Sequence, residues 1–464
     1  MNENHAREVV ISTGVCWDNV LTLDHFCGNG SRIGDTWSVC IECGARCRAE
    51  IFRSNDSPPR VYIVKHCSTH GRTSSRLSSD ASLYYTKKDG QAYGCGPNGC
   101  GPNGCGPSPL GDNAKSASQL HTCTLVVEIV KDCNLACPTC YADSPQTKHG
   151  MKTGDYLSFE DFTQQIGTVL AKQGMIDIVQ LSGGEPTLHP ELFKIISWLG
   201  EQQGVADILL NTNGTRLKDP LFMSELAKVI PKGKFSVYLQ FDGEQDAGQG
   251  ALRGGDFRPV RNRALIECAK RDIPVALVMT VSHDNKFDCH SAIARALSDD
   301  NIRWVVFQPE FLSGRNDPAK FLEIPINVAD IVHSVASGGV MDAGSWMPLP
   351  CSDPNCGTVG FLVRKNGAWF PVSRFVDMSK FAPFIGNRMN FDIDDTLASC
   401  GCDNVNLEAE LQAIGVQKSD IKMVFIKPFM DRRTWDEARI ASCCTHVLTP
   451  SGEVDSFCRY YGTK

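Results

Sequence analysis

Three cysteines on one short segment carry the clearest chemical signal in the sequence. Cys133, Cys137 and Cys140 stand at C-x3-C-x2-C spacing directly after an apolar run, residues 123–130. Three thiolates at this spacing can bind three irons of a 4Fe-4S cluster and leave the fourth iron open for a chelating substrate. The spacing alone leaves two alternatives, a zinc loop or a fragment of a ferredoxin. A second motif is needed to decide between them.

That second motif follows the next apolar run. Residues 176–181 (IDIVQL) predict a short buried strand, and the segment SGGEP, residues 182–186, comes directly after it. Paired glycines let the backbone approach a ligand closely, and the Glu185 carboxylate can accept a hydrogen bond from the ammonium of a bound amino acid. Taken alone, the motif is also typical of an ordinary strand-to-helix turn.

Together the two motifs resemble those of the radical S-adenosylmethionine (radical SAM) superfamily. Its members have this cysteine spacing, a strand before the first cysteine and an aromatic residue after the third, here Tyr141. The resemblance implies a SAM-binding 4Fe-4S cluster on the three cysteines, and a GGEP segment that holds the methionine part of SAM. It also implies reductive cleavage of SAM to a 5′-deoxyadenosyl radical, with an electron from a reductant such as ferredoxin or flavodoxin. The cofactor-binding candidates on these motifs are Tyr141, Gly183, Gly184, Glu185 and Pro186.

The central part of the chain predicts a parallel α/β barrel, because strand signals alternate with segments long enough for a helix. The predicted strands are residues 123–130, 176–181, 205–210, 235–241, 273–281 and 302–308. Six strands match the partial (β/α)6 barrel of the radical SAM fold, and barrels of this kind carry their chemistry at the carboxyl ends of the strands. Asn211, Asn213 and Asp242 fall there and are candidates to contact SAM, although each is equally typical of an Asx turn.

A second group of cysteines precedes the barrel. Cys40 and Cys43 form a CxxCG knuckle, which favours a mononuclear tetrahedral Fe or Zn site. The repeat CGPNGCGPNGCGP, residues 95–107, has the composition of a loop with turns. The candidate metal ligands of this region are Cys40, Cys43, Cys67, Cys95, Cys100 and Cys105.

A third group follows the barrel and predicts an auxiliary 4Fe-4S cluster. Adjacent cysteines rarely both bind one metal, so one of Cys443 and Cys444 is expected to be a ligand, and Cys444 is the candidate taken. The candidate ligands of this group are Cys351, Cys356, Cys444 and Cys458.

The layout of nearly the whole chain resembles one branch of the superfamily, the proteins described first as dihydropterin methyltransferases and later as tetraether lipid synthases. The resemblance rests on the CxxCG knuckle, the HG-containing segment around Cys67 and the closing segment CCTHVLTPSGEVDSFC. It implies methylation or coupling of unactivated carbons, additional 4Fe-4S clusters and a rubredoxin-like iron. Where the family usually has a compact CGLC-type element this chain has its CGPNG repeat, so the N-terminal ligand set stays open.

Composition agrees with a multi-domain enzyme. The chain has 464 residues, 42% of them hydrophobic, and a net charge of −7, which gives no sign of a nucleic-acid partner. The 22 cysteines favour metal clusters over disulfides, because disulfide frameworks belong mainly to small secreted chains. The division expected is a Cys-rich N-terminal region (1–118), the barrel (119–335) and a C-terminal region with the auxiliary cluster (336–464).

The beginning of the chain lacks the pattern of a signal peptide, and the sequence contains no run of 18 apolar residues, so a soluble cytoplasmic protein is expected. Peripheral contact with a membrane stays open. The alternative function is a non-catalytic iron-sulfur electron carrier or metal sensor on the same fold, which would have no need of Glu185 after paired glycines. The substrate, a small molecule or a lipid, has no linear signature.

Overall fold

The computed structural model describes residues 26, 28–85, 122–146, 156–349, 352–375 and 420–462. The strands within them are β1 (Gly30–Val39), β2 (Arg46–Ser54), β3 (Val61–Cys67), β4 (Gly71–Ser78), β5 (Thr124–Val130), β6 (Ile176–Gly183), β7 (Val205–Thr212), β8 (Phe235–Gln240), β9 (Val275–Val281), β10 (Ile302–Pro309), β11 (Trp346–Pro348), β12 (Thr358–Lys365), β13 (Ala368–Pro371), β14 (Ile421–Ile426), β15 (Thr445–Leu448) and β16 (Val454–Ser456). The α-helices are α1 (Phe159–Gln173), α2 (Leu192–Glu201), α3 (Pro220–Val229), α4 (Gln249–Arg253), α5 (Arg258–Ala269), α6 (Cys289–Leu297), α7 (Val328–Ser337), α8 (Glu437–Ile440) and α9 (Phe457–Gly462).

The predicted α/β barrel is confirmed. Strands β5 to β10 are the six expected strands, and they pair in chain order, each parallel to the next. Helices α1, α2, α3, α5 and α6 lie between them along the chain. Because all six strands point the same way, the loops that follow them meet at one end of the barrel.

Side chains alternate between the two faces of each barrel strand, as pleated strands require. On β5, Leu125 and Val127 pack into the main hydrophobic core that the strands share with the helices. Thr124 and Val126 point the other way and line a cavity inside the barrel. The outward face therefore supplies the core of the barrel, and the inward face supplies the walls of the cavity.

The C-terminal region adds strands to both edges of the barrel sheet. Strand β14 lies parallel beside β10, and β15 lies parallel beside β5. Strand β12 then pairs antiparallel with β14. The expected boundary at residue 335 falls inside α7, so the division into three regions stays a prediction about the sequence rather than a separation of the fold.

The N-terminal strands β1 to β4 form an antiparallel sheet of their own, in chain order. Its small core includes Ala49, Ile51 and Ile63. The sheet is tied to the C-terminal region, because the Ser38 hydroxyl donates to the Trp435 carbonyl over 2.6 Å. The N-terminal cysteines thus sit on a scaffold distinct from the barrel strands.

Membrane insertion by helices finds no support in the part of the chain that the structure describes. None of the helices there combines the length and the apolar character needed to cross a bilayer.

Candidate active site and metal centre

One cavity of about 270 Å³ occupies the interior of the barrel. At the carboxyl end of the strands, its described lining includes all three cysteines of the predicted cluster loop, Cys133, Cys137 and Cys140. Further along the strands, the walls carry mainly apolar and aromatic side chains. Among these are Val126, Leu209, Tyr238, Val278, Trp304 and Phe425. The cavity therefore joins a thiol-bearing mouth to an apolar interior.

The three thiols are placed to receive a metal cluster. Each cysteine is partly exposed, and all three face the same cavity. Burial raises the pKa of Cys133 to about 12, and burial also raises the pKa of Cys137, against the effect of the nearby Arg253 guanidinium. Such thiols deprotonate when a metal ion binds, because the bond to the metal offsets the cost of a buried thiolate. The residues present fit a three-thiolate cluster.

Arg315, which lies in no recognisable motif, holds the cluster loop in shape. Its guanidinium donates to the Cys137 carbonyl over 3.2 Å and to the Asp143 carboxylate over 3.1 Å. Its backbone N–H donates to the Cys140 carbonyl over 2.9 Å. The loop is thus fixed from outside, while its thiols stay directed at the cavity.

The paired glycines let the end of β6 approach the cluster loop. A Cβ at Gly183 would lie 2.0 Å from the Val130 carbonyl oxygen, and one at Gly184 would lie 2.0 Å from the Asp132 carbonyl oxygen. Gly183 also has φ +117°, which glycine alone adopts without strain. Both glycines line the cavity. Their contact with SAM stays a prediction. Their close packing against the loop is an additional reason for glycine.

Glu185 lies at the cavity wall, 1% exposed. One carboxylate oxygen accepts from the hydroxyls of Thr187 and Thr212, both over 2.6 Å, and the other accepts from the Asn213 N–H over 2.8 Å. Burial raises the pKa of this carboxyl group. The second oxygen retains a lone pair for another donor. Acceptance of the SAM ammonium stays a prediction, and the structure adds that Glu185 holds the turn to the end of β7.

Three more of the predicted residues lie on the same cavity. The Asn211 amide donates to the Ser182 hydroxyl over 3.1 Å, and the Asn213 amide donates to Asn134 of the cluster loop over 2.8 Å. Tyr141 packs edge-on against Tyr461, with ring centroids 4.9 Å apart. Pro186 is buried and begins a 3-10 turn, so it shapes this segment. It is not part of the described lining of the cavity.

Asp242 is placed differently, behind the described cavity wall. It is fully buried, and its carboxylate accepts from Arg253 over 2.8 and 3.0 Å and from Arg261 over 3.0 Å. The Thr280 N–H also donates to the Asp242 carboxylate over 3.1 Å. Arg253, which lines the cavity, also reaches the Cys137 thiol. The position of Asp242 favours fixing Arg253 beside the cluster loop, and a direct contact with SAM stays a prediction.

The N-terminal knuckle forms a compact group of potential ligands. The ligand atoms of Cys40, Cys43, Cys67 and His70 all lie within 4.8 Å of one another. The two Sγ atoms of Cys43 and Cys67 are 3.9 Å apart, and Cys40 Sγ lies 3.6 Å from His70 Nδ1. A tetrahedral ion with bonds of about 2.3 Å holds its ligands roughly 3.8 Å apart. The spacing therefore suits one mononuclear ion, with His70 as the ligand that sequence reasoning missed.

The thiols of this group have unequal acidity. Hydrogen bonds from the backbone at His70 and Thr69 lower the pKa of Cys67 to about 6. Burial raises the pKa of Cys40 to about 11. These hydrogen bonds favour the thiolate form of Cys67 over that of Cys40.

In the C-terminal group the structure brings both adjacent cysteines, Cys443 and Cys444, to one small cavity. Cys356 and Cys458 line the same cavity. Burial raises the pKa of Cys443 well above its usual value, and the neighbouring thiols of Cys458, Cys444 and Cys356 act in the same direction. The Cys444 carbonyl accepts from the backbone N–H groups of Cys123 and Thr124, which ties that residue to the sheet. The auxiliary cluster expected at Cys351, Cys356, Cys444 and Cys458 stays a prediction.

Four candidate ligands lie outside the described residues. They are Cys95, Cys100, Cys105 and Cys351. Their roles as metal ligands stay predictions.

Comparison with known proteins establishes the class. Residues 127–295 match the model of the radical SAM superfamily, and residues 32–79 match the HMPTM N-terminal zinc ribbon domain. The two matches cover the cluster loop with its barrel strands and the knuckle with its histidine. Residues 127–295 are thus a radical SAM domain, which implies a 4Fe-4S cluster and SAM as cofactors, and the zinc ribbon match with its Cys/His group indicates a further metal at the N-terminal site.

The chain is similar over most of its length to 7,8-dihydro-6-hydroxymethylpterin dimethyltransferase of Methanocaldococcus jannaschii. The two are 25% identical over 496 aligned residues, covering 92% of each protein. A GTP 3′,8-cyclase of Staphylococcus carnosus is 32% identical over 43% of this chain and 53% of its own.

Solved structures resemble the chain over a smaller part. Streptococcus suis SuiB bound to S-adenosylmethionine matches with 13% identity and a TM-score of 0.33, over 44% of this chain and 43% of that one. A methylornithine synthase matches with 15% identity and a TM-score of 0.34, over 47% of this chain and 64% of that one.

Proposed function

We propose that this radical SAM enzyme functionalises an unactivated carbon of a largely apolar substrate, by coupling lipid chains or by methylation. The observation that supports the proposal most is the continuity of the cavity. Its mouth carries Cys133, Cys137 and Cys140, and its interior carries apolar and aromatic walls. A substrate carbon in that interior would lie next to the place where SAM is cleaved.

The residues of the chain would contribute binding, orientation and the exclusion of water. When bound, the cluster and SAM supply a 5′-deoxyadenosyl radical that abstracts hydrogen from the substrate. The three thiols hold the cluster, and Arg253 places a positive charge beside Cys137. Apolar walls such as Leu209 and Val278 keep water from the reacting carbon, which protects a reactive intermediate from side reactions.

Methylation of a pterin is a second candidate, favoured by the relative that aligns over the whole chain and is named as a dihydropterin dimethyltransferase. The same cavity also carries polar side chains along its wall, the amides of Gln180, Gln240 and Gln308. These amides could pair with the edge of a heterocycle, and Tyr238 could stack on its face. A pterin bound by these amides would leave much of the apolar wall without an occupant.

The decisive experiment offers both substrate classes to the reconstituted protein. The protein would be reduced with flavodoxin or dithionite and supplied with SAM carrying a labelled methyl group. Formation of 5′-deoxyadenosine is measured first, and label or mass change is then followed separately in added lipids and in added dihydropterins. Lipid products that carry no label would indicate coupling of lipid chains. Lipid products that carry the labelled methyl group would indicate methylation.

Labelled pterin with unchanged lipid would favour the second candidate. Absence of 5′-deoxyadenosine from protein with a full cluster would reject both and favour the electron carrier or metal sensor. Cys268→Ala serves as the control for the loss of a cysteine outside the site, because it removes a buried core thiol on α5 away from the cavity.

A further inference from the structure

The cavity continues along the barrel strands to a row of side chains far from the cluster loop. Thr445, Thr124, Ile178 and Asp207 are paired in succession across β15, β5, β6 and β7. All four line the cavity. Neighbouring strands are about 4.8 Å apart, so the row spans roughly 14 Å of the wall.

Asp207 is the ionisable group of this row. Its carboxylate accepts the N–H of its own neighbour Ile208 over 2.8 Å, and the described residues offer it no second hydrogen bond. Lys234, the nearby cation, is committed elsewhere, since its ammonium donates to the carbonyls of Gln202, Leu199 and Gly200. Burial raises the pKa of Asp207 to about 7. A carboxyl group is thus held at an apolar wall with hydrogen-bonding capacity to spare.

Thr445 provides a second, independent observation at the same end. The residue is 6% exposed, and its hydroxyl oxygen is buried with no hydrogen-bond partner among the described residues. A buried polar group without a partner costs about 1–3 kcal/mol, and a ligand that supplies the partner recovers this cost. The polar groups at the two ends of the row, Asp207 and Thr445, therefore have unused hydrogen-bonding capacity.

We propose that this end of the cavity is a polar subsite that binds a hydroxyl group at the end of the substrate, with Asp207 as its acceptor. The inference deepens the proposed function and rests on it, since it assigns the far end of the same cavity. Asp207 lies four residues before Asn211 on β7, which is about 13 Å along the strand. The substrate would be an elongated molecule with a hydroxyl end, an apolar middle and its reacting carbon near the cluster loop.

A hydroxyl fits this subsite better than an ammonium group. An ammonium ion would have to leave water for walls formed by Ile178, Ala276 and Trp304, with one carboxyl group as its partner. A hydroxyl needs far less desolvation and can donate to Asp207 in either protonation state of that group. Asp207 also combines with the unpartnered Thr445 to make the end of the cavity polar but sparsely charged.

The test compares 1-octanol with 1-fluorooctane, which has nearly the same shape but lacks the donor. Both would be titrated calorimetrically into the reconstituted full-length protein. We expect wild-type protein to bind 1-octanol about three- to tenfold more tightly, the effect of one hydrogen bond. Asp207→Leu should bring the ratio close to one. Asp246→Leu, at an exposed carboxylate, is the matched control and should keep the wild-type ratio.

Equal binding of the two probes by wild-type protein would overturn the proposal without recourse to any variant. A ratio that persists in a folded Asp207→Leu protein, or tighter binding of octylamine than of 1-octanol, would also overturn it. Formation of 5′-deoxyadenosine without substrate, measured in the same preparations, should be unaffected by Asp207→Leu. If wild-type protein makes none, the proposed function fails, while the ratio of probe affinities still reports on the subsite.

Discussion

Two cysteine sites of this chain are arranged for a metal in opposite ways. At the N-terminal knuckle, the ligand atoms of Cys40, Cys43, Cys67 and His70 lie within 4.8 Å of one another and surround a single point. At the barrel mouth, three thiols face a cavity of about 270 Å³. Four converging ligands complete a tetrahedral ion and leave no position for a substrate, whereas three thiols around a cavity leave one. The number and spacing of ligands thus separate a site that stabilises structure from one that supports chemistry.

The two sites also differ in the structure that holds their ligands in place. The knuckle is carried by an antiparallel sheet, in which the Cys40 N–H donates to the Ala45 carbonyl over 2.8 Å within one tight turn. The cluster loop depends on partners distant in sequence, such as Arg315 and the glycines that end β6. The closed site is therefore local, and the open site is a product of the whole barrel.

Removing the cluster ligands should have the largest effect. Changing Cys133, Cys137 and Cys140 together to Ala eliminates the thiolates that hold the cluster, so formation of 5′-deoxyadenosine should fall to background. The N-terminal metal should remain, since its ligands are on a different sheet. Chromatography of the nucleoside products and metal analysis check the two halves. SAM cleavage by the triple variant at the wild-type rate would contradict the assignment of the open site.

Gly184→Ala tests the dependence of the open site on the barrel. The added Cβ would lie 2.0 Å from the Asp132 carbonyl oxygen, so the cluster loop must shift. We expect cluster content and SAM cleavage to drop by more than tenfold, with the N-terminal metal retained. Gly167→Ala on α1 is the matched control, because its Cβ meets nothing within 4 Å, and alanine should stabilise the helix by up to about 1 kcal/mol. Full cluster content in Gly184→Ala would show that the loop does not need this contact.

Opening the closed site should affect metal content and stability but spare catalysis. Replacing Cys40 and Cys43 together by Ser should remove one metal ion per chain and lower the thermal unfolding midpoint of the N-terminal sheet. His70→Ala should weaken metal retention in the same direction. Elemental analysis and calorimetry provide the measurement. Loss of 5′-deoxyadenosine formation in a folded double variant would mean that the two sites are coupled.

Glu185 sharpens the comparison at the open site. Glu185→Ala removes a charge-assisted acceptor of about 1.5–3 kcal/mol, so the affinity for SAM should fall about ten- to a hundredfold with the cluster intact. Because Thr187, Thr212 and Asn213 also lose their acceptor, the unfolding temperature should fall as well. Calorimetric titration with SAM checks the first effect. Glu191→Ala, at a more exposed carboxylate of the same turn, should keep SAM affinity, and an unchanged affinity in Glu185→Ala would reject the role in binding.

Local patterns accounted for the features that the sequence predicted. The cluster loop, the GGEP segment and the six barrel strands each depend on residues close together in the chain, and the structure has them within a few residues of the expected bounds. Features that depend on distant residues were missed. Arg253 and Arg315 act on cysteines more than a hundred residues away in sequence, and β15 joins β5 across most of the chain.

Two further cases show the limit of motif spacing. His70 stands three residues after Cys67, yet a single histidine has no spacing rule that marks it as a ligand. Adjacent cysteines such as Cys443 and Cys444 are a second case, because both line the same small cavity as Cys356 and Cys458, and the choice of Cys444 stays a prediction.

Electron paramagnetic resonance tests most directly whether the cluster on Cys133, Cys137 and Cys140 keeps an open coordination position for SAM. Wild-type protein and the Cys40→Ser/Cys43→Ser variant would be reconstituted, reduced and measured with and without SAM. The account predicts that SAM changes the spectrum of a reduced 4Fe-4S cluster in both proteins, and that the signal is absent from the Cys133/Cys137/Cys140 variant. A spectrum that SAM leaves unchanged in wild-type protein with a full cluster would contradict it.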